Sequence, residues 1–86
     1  MIDAVVLVKA LPERLPTLGR ELADLPGVYA AYSVAGDEDF VAVVRAADHE
    51  DLAEIVTARI ARLAGITSLR TLIAFRSYSA ADERHF

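Results

Sequence analysis

Three consecutive carboxylates stand in the short segment Gly36-Asp37-Glu38-Asp39, which separates two apolar segments of the chain. Carboxylates and freed backbone groups at the end of a strand can hold an ammonium group and set its orientation. Gly and Asp are also favoured residues of a hairpin turn, so the segment is equally consistent with a polar hairpin tip. The residues by themselves leave both interpretations open, a binding site for a cationic group and a purely structural turn.

No other group of residues has the types and spacing of a catalytic or metal site. His49 and His85 are the only histidines, and without cysteine they cannot form a metal site unless carboxylates converge on them. The serines lack a Gly-x-Ser-x-Gly context and the glycines stand singly, so neither a nucleophile elbow nor a phosphate-binding loop is predicted. His49 follows Asp48 and is expected to be a solvated residue of a first helical turn. We therefore predict no metal and no cofactor.

The elements that must position the acidic turn are encoded by an internal repeat. Val5-Val6-Leu7-Val8-Lys9-Ala10 returns as Val41-Ala42-Val43-Val44-Arg45-Ala46, and Leu25-Pro26-Gly27-Val28 returns as Leu63-Ala64-Gly65-Ile66. Each copy has an apolar segment, a stretch with helical spacing, and a second apolar segment after a glycine, which is the order strand, helix, strand. Two such copies predict an α+β domain of ferredoxin-like βαββαβ topology, with an antiparallel four-stranded sheet and two helices on one face.

Hydrophobic periodicity predicts where these elements begin and end. Strands are expected at Ile2–Ala10, Val28–Ala35, Phe40–Ala46 and Ser68–Arg76. The first helix has an apolar stripe formed by Leu15, Leu18, Leu22 and Leu25. The second helix, capped by Asp48 with Asp51 three residues later, has a stripe formed by Leu52, Ile55, Val56, Ile60 and Leu63.

Three local features carry their own expectations. Gly19 inside the first helix costs about 1 kcal/mol relative to Ala, and we expect it to permit a close approach of the helix to the sheet. Tyr29 and Tyr32 are expected on opposite faces of the second strand, because side chains alternate along a strand. Residues 1–79 are predicted to form the domain and residues 80–86 a tail, with the chain from Ser77 onward frayed or docked on a neighbour.

Composition and charge exclude several functional classes. The 86 residues are 55% hydrophobic and carry a formal net charge of −4. No segment approaches the roughly 18 apolar residues of a membrane span, and the first residues lack a basic region followed by an apolar core, so we expect a soluble cytoplasmic protein without a membrane partner. The negative charge and scattered basic residues argue against direct nucleic-acid binding, which depends on Lys and Arg contacts to phosphates.

One face of the predicted sheet has no helix to cover it. Val5 and Leu7 alternate with Val6 and Val8, so both faces of the first strand are apolar. Four strands spaced by about 4.8 Å and six residues rising by about 3.3 Å give a face of roughly 400 Å². An apolar patch of this size is where partner surfaces begin, and we expect a second copy of the chain to pack on it.

The order of these motifs resembles the effector-binding domain of the Lrp/AsnC regulators, also called the RAM domain. The resemblance covers Met1 to about Ser79 and is carried by the order β-α-β-β-α-β together with short motifs. These are the Leu-Pro-Gly-Val entry to the second strand, the Ser33-x-x-Gly36-Asp37-x-Asp39 turn, the second helix capped by Asp48, and Arg70-Thr71-Leu72-Ile73 in the last strand.

The resemblance implies an amino-acid site between dimers of this dimeric α+β barrel fold, in a domain that dimerises through its sheet and assembles into rings of dimers. Carried over by position, the site comprises Ser33, Gly36, Asp37, Asp39, His49, Thr71, Leu72 and Ile73. Asp37 and Asp39 would hold the ligand's amino group or shape the turn around it, while backbone groups near Gly36 and the Thr71 hydroxyl would meet polar atoms. Glu38 departs from the aromatic or aliphatic residue usual in the family. The family's amino-terminal helix-turn-helix has no counterpart here, so we expect a stand-alone sensing domain.

Two alternatives from other classes remain open at this point. The first is a small enzyme of the dimeric α+β barrel type, for which only Tyr29, Tyr32 or His49 could supply an acid or base. The second is an assembly partner that joins full-length Lrp/AsnC regulators without binding a ligand of its own.

Overall fold

The computed structural model describes residues 1–80, and its elements follow the order β-α-β-β-α-β that the repeat predicts. The strands are β1 (Ile2–Ala10), β2 (Val28–Ser33), β3 (Phe40–Ala46) and β4 (Ile66–Ile73). A 3-10 turn (Pro12–Arg14) leads into α1 (Leu15–Ala23). The second helical region begins with α2 (His49–Ala53) and continues through a π-helical turn (Glu54–Arg59) and a 3-10 turn (Ile60–Arg62).

The four strands form one sheet in the order β2-β3-β1-β4, and every neighbouring pair is antiparallel. The parallel strands β1 and β2 of the first strand–helix–strand unit flank β3, and the parallel strands β3 and β4 of the second unit flank β1. This is the ferredoxin-like α+β arrangement, and the prediction of fold class is confirmed.

The core lies between the two helical regions and one face of the sheet. Along β3 the burial alternates strictly, with Phe40, Ala42, Val44 and Ala46 at most 3% exposed. β1 contributes Ala4, Val6 and Val8 to the same face, and the helices contribute Leu18, Leu22, Leu52, Ile55 and Ile60. The predicted stripes are therefore the core-facing sides of the helices, with Leu25, Val56 and Leu63 packed at the margin of the core. Leu15 is the exception, because it lies at the start of α1 and is 41% exposed.

Gly19 brings α1 close to the sheet, as predicted. A Cβ atom built at this position would lie 3.1 Å from Cε1 of Phe40, a contact tighter than side chains normally accept. The ring of Phe40 occupies the space that any larger residue in α1 would need. Glycine thus permits a close packing of α1 on the sheet, at a cost of about 1 kcal/mol in helix propensity relative to Ala.

The two halves of the repeat are held together by reciprocal arginine contacts at the helix ends. Arg59 in the second helical region donates from Nη1 to the carbonyl of Pro26, at 2.7 Å, in the loop after α1. Arg14, just before α1, donates from Nε to the carbonyl of Ala64, at 2.8 Å, in the loop after the second helical region. Each guanidinium thus satisfies a carbonyl near the end of the other helix, where backbone acceptors lack helical partners.

The sequence-based boundaries differ from the structure at three points. β2 ends at Ser33 instead of Ala35, because the amide of Val34 already donates to the carbonyl of Asp39 to close the hairpin. β4 runs from Ile66 to Ile73 instead of from Ser68 to Arg76. It starts earlier because Ile66 pairs with Ala10 across a register shift between Lys9 and Ala10, and it ends at Ile73, which pairs with Ala4.

The second helical region is not a continuous α-helix. The hydroxyl of Thr57 donates to the carbonyl of Ala53 at 2.6 Å, the acceptor that a regular α-helical bond from residue 57 would use. This competition from a side chain accompanies the widened π-helical turn at Glu54–Arg59.

The prediction that Tyr29 and Tyr32 lie on opposite faces of β2 is wrong. The register with β3 shifts between Val28 and Ala30, so the alternation of side chains is interrupted by a bulge. As a result both tyrosines lie on the uncovered face, and both are more than half exposed. A bulge commonly redirects a side chain in this way.

Most of the predicted tail cannot be compared with the structure. Residues 81–86, which include His85, lie outside the described residues.

Candidate functional site

The acidic turn is held at the end of the sheet by Asp39. Its carboxylate oxygen Oδ2 accepts a hydrogen bond from the amide of Ala10 at 2.9 Å, and its own amide donates to the carbonyl of Val8 at 2.9 Å. Its carbonyl accepts from Val34 at 3.1 Å. Asp39 therefore joins the β2–β3 turn to the last residues of β1.

Glu38 ties the same turn to a different strand. Its Oε2 lies 3.1 Å from Nη2 of Arg70, a residue of β4 that pairs with Leu7 on β1. The side chain of Glu38 is only 16% exposed, whereas that of Arg70 is 65% exposed. Sequence reasoning did not assign Arg70 to the site, because the contact spans two strands and depends on the sheet register.

Ser33, Gly36 and Asp37 present the accessible part of the turn. All three are exposed, and a Cβ atom at Gly36 would meet nothing within 4 Å. Gly36 has a φ of +142°, which L-residues other than glycine rarely adopt. The glycine is thus required by the backbone conformation, and the space beside it is open.

The remaining predicted residues lie toward or at the other end of the sheet. His49 is the first residue of α2 and lines a cleft of about 660 Å³ together with Ile73 of β4. Exposed Met1 and Phe75 and the cationic Arg76 line the same cleft. Apolar surface and potential hydrogen-bond donors are therefore combined there.

Thr71 and Leu72 stand near the middle of β4, on opposite faces. Thr71 pairs with Val6 on the helix-covered face, whereas Leu72 pairs with Val5 on the uncovered face. Both are exposed, because β4 is an edge strand.

One chain does not bring all the predicted site residues together. Phe40, next to the turn, pairs with Val8, and Ala46, three residues before His49, pairs with Ile2. Six residues of β1 separate these two positions, which is about 20 Å at 3.3 Å per residue. The group at the turn and the group around His49 therefore lie at opposite ends of the sheet.

The uncovered sheet face, called here the open face, has a groove of about 370 Å³ near the start of β1. Tyr29 and Tyr32 form one wall, and the segment after β4 forms the other. The guanidinium of Arg45 lies over the Tyr29 ring, 4.4 Å from its centroid, and its Nε is 3.4 Å from Oδ1 of Asp3. The open face thus combines an apolar centre with a charged pair near one end.

Two kinds of feature are absent from residues 1–80. No group of at least three His, Cys, Asp or Glu residues in this part of the chain could hold a metal ion. No helix in the same part of the chain is long and apolar enough to cross a membrane.

Comparison with known families gives one match that covers nearly the whole chain. The model of the Lrp/AsnC ligand binding domain matches residues 3–83.

Individual relatives agree with this match. An uncharacterized HTH-type transcriptional regulator of Pyrococcus furiosus is 32% identical over 75 residues, which are 84% of this chain and 50% of the relative. The chain spans about half the length of the curated relatives it matches.

Two solved structures illustrate the same relationship. The crystal structure of a Thermus thermophilus protein, TTHA0845, has a TM-score of 0.86 and 44% identity, covering 92% of this chain and 99% of that one. A feast or famine regulatory protein from M. tuberculosis, complexed with L-methionine, has a TM-score of 0.73 and 26% identity, covering 99% of this chain and 56% of that one.

Proposed function

Because the chain belongs to the Lrp/AsnC ligand-binding domain family, we propose that it senses an amino acid that binds at the Gly36–Asp39 turn. The family is one of transcription regulators, so the domain is of a regulatory type. The observation that carries the proposal is the construction of the turn. Asp39 holds it on β1, and its exposed part, with Gly36 and Asp37, leaves room for a ligand.

Within the proposed site the residues have different tasks. Asp37 is exposed and binds the ligand's ammonium group through a charged hydrogen bond. Asp39 uses one carboxylate oxygen to shape the turn and has a second oxygen with which to support the same group. Backbone groups near Gly36 and Ser33 meet the polar atoms of the ligand.

The site is completed by a second copy of the chain. His49 cannot reach the turn of its own chain, since the ends of the sheet are about 20 Å apart. Thr71, Leu72 and Ile73 follow Arg70 along β4, away from the turn that Arg70 contacts. Where two dimers meet, these four residues of a second copy lie beside the turn and contribute apolar contacts and the Thr71 hydroxyl. This arrangement requires dimers formed through the open face and their further assembly into rings, alone or with full-length regulators of the same family.

In this proposal the domain is a cytoplasmic sensor that catalyses no reaction and does not itself bind DNA. The feast or famine regulatory protein from M. tuberculosis, 26% identical to this chain, is complexed with L-methionine, which supports an amino acid as the effector class.

A thermal-shift screen against the twenty L-amino acids tests the proposal. A ligand at one hundred times its dissociation constant stabilises the folded state by about 2.7 kcal/mol, which is roughly 10 °C or more for a domain of this size. We expect a selective rise for one or a few amino acids, lost in Asp37→Ala and kept in Asp24→Ala, an exposed aspartate of the loop after α1. The absence of a rise with every amino acid contradicts sensing and favours the enzyme or the assembly partner.

A further inference from the structure

We propose that Arg70 binds the carboxylate of the amino-acid effector, and that Glu38 holds its guanidinium in place beside the turn. The assignment rests on the proposed function and adds the residue that recognises the negative end of the ligand.

The charges of the turn create the need for such a group. A free amino acid is a zwitterion, and its carboxylate is repelled by the three carboxylates of Asp37, Glu38 and Asp39. The carboxylates of Asp39 and Glu38 are already engaged, by the amide of Ala10 and by Arg70 respectively. A ligand carboxylate that approaches the turn therefore needs a nearby cation to compensate these charges.

Arg70 has the geometry for this role. Its contact with Glu38 places the guanidinium next to the turn, at 3.1 Å from the Glu38 carboxylate. One contact through Nη2 uses one donor of a planar group that carries five N–H donors, and the side chain remains 65% exposed. In the single chain, the outer edge of the guanidinium is thus available for a bidentate bond to a carboxylate.

Glu38 pre-organises Arg70. An arginine side chain has many rotamers, and holding it costs free energy when a ligand binds. The carboxylate of Glu38, only 16% exposed, orders the guanidinium before the ligand arrives, so less of this cost falls on binding.

Calorimetric titration with an acid and its amide tests the assignment. The probes are the tightest-binding amino acid of the thermal screen and its primary amide, for example L-methionine and L-methioninamide. We expect Arg70→Gln to weaken binding of the acid about tenfold or more, as for loss of one charged hydrogen bond, and to leave the amide within about twofold. Lys9→Gln is the matched control, because it removes an exposed cation from β1 beyond Leu7 without touching Glu38. It should leave both affinities unchanged.

Glu38→Gln distinguishes binding of the ligand carboxylate by Arg70 from a purely structural role of the Glu38–Arg70 pair. The proposal predicts that this variant weakens the acid less than Arg70→Gln does, since the guanidinium is still present. Equal losses for acid and amide in Arg70→Gln would mean that the pair only supports the turn, and would overturn the assignment while leaving amino-acid sensing intact. If the wild type binds neither probe, the proposed function and this assignment both fail.

Discussion

Asp37, Glu38 and Asp39 are neighbours of similar chemistry, and the structure gives them different surroundings. Asp39 bonds the backbone of β1, Glu38 pairs with Arg70 of β4, and Asp37 is exposed. A side chain that satisfies a partly buried backbone amide acts on stability, because its removal leaves that amide without its partner. An exposed side chain of the same turn acts mainly on whatever binds there.

Asp39→Ala should destabilise the protein, and Asp37→Ala should not. Loss of the hydrogen bond from Ala10 to a charged acceptor should lower the free energy of unfolding by about 1.5–3 kcal/mol, whereas the exposed Asp37 should change it by less than about 0.5 kcal/mol. Urea unfolding followed by circular dichroism measures both. If the two variants have the same midpoint as the wild type, the Asp39 contact contributes nothing to stability.

The second helical region begins with two reciprocal side-chain bonds. Oδ1 of Asp48 accepts from the amide of Asp51 at 2.8 Å, and Oδ2 of Asp51 accepts from the amide of Ala47 at 2.8 Å. These bonds satisfy amides that have no helical acceptor, and they confirm the capping motif predicted from the sequence. They also set where His49 stands, because it is the residue directly after the cap.

Asp48→Ala should therefore destabilise the fold through the helix end. Loss of an N-terminal cap costs about 1 kcal/mol in comparable helices. Glu50→Ala is the control, since Glu50 carries the same charge in the same first turn but makes neither of these capping bonds. A difference between the two variants in chemical denaturation measures the cap itself. Equal destabilisation would attribute the effect to charge near the helix dipole instead.

The two faces of the sheet differ in what covers them. The helices bury the part of one face that β1 and β3 form, with Val6, Val8, Ala42 and Val44 at 0% exposure. On the open face Tyr29, Tyr32 and Leu72 are each more than half exposed. The open face has apolar side chains at its centre and an ion pair of Asp3 with Arg45 near one end. This distribution is typical of protein interfaces. This is the physical basis for the proposed dimer.

Tyr32→Lys should weaken the dimer without unfolding the chain. Tyr32 is 57% exposed, so the fold of one chain depends little on it, whereas a lysine opposite a second apolar face would have to be desolvated. Light scattering after size exclusion should give a multiple of the 9.3 kDa chain mass for the wild type and a lower mass for the variant. Ala53→Lys, on the exposed side of α2, should retain the wild-type mass. A wild type that runs as a monomer at micromolar concentration contradicts the dimer.

Local patterns in the sequence were sufficient for the order and type of the elements. The bounds of β1 and β3 agree with the prediction, because each of these apolar segments ends two residues before a residue, Pro12 or Asp48, that stops a strand or starts a helix. The cap, the stripes of the helices and the role of Gly19 were also predictable, since each depends on residues close in the chain or on one face of one element.

Register and side-chain pairing were decided only by the tertiary structure. Three features depend on the register between neighbouring strands. They are the bulge that places Tyr29 on the open face, the hydrogen bond from Ala10 to Asp39, and the ion pair of Glu38 with Arg70. The same is true of the separation of the turn from His49, which places the predicted site residues at both ends of the sheet. The sequence determined which segments are strands and helices because periodicity is a local property. The contacts at the turn join residues about 30 positions apart, and only packing of the whole chain selects them.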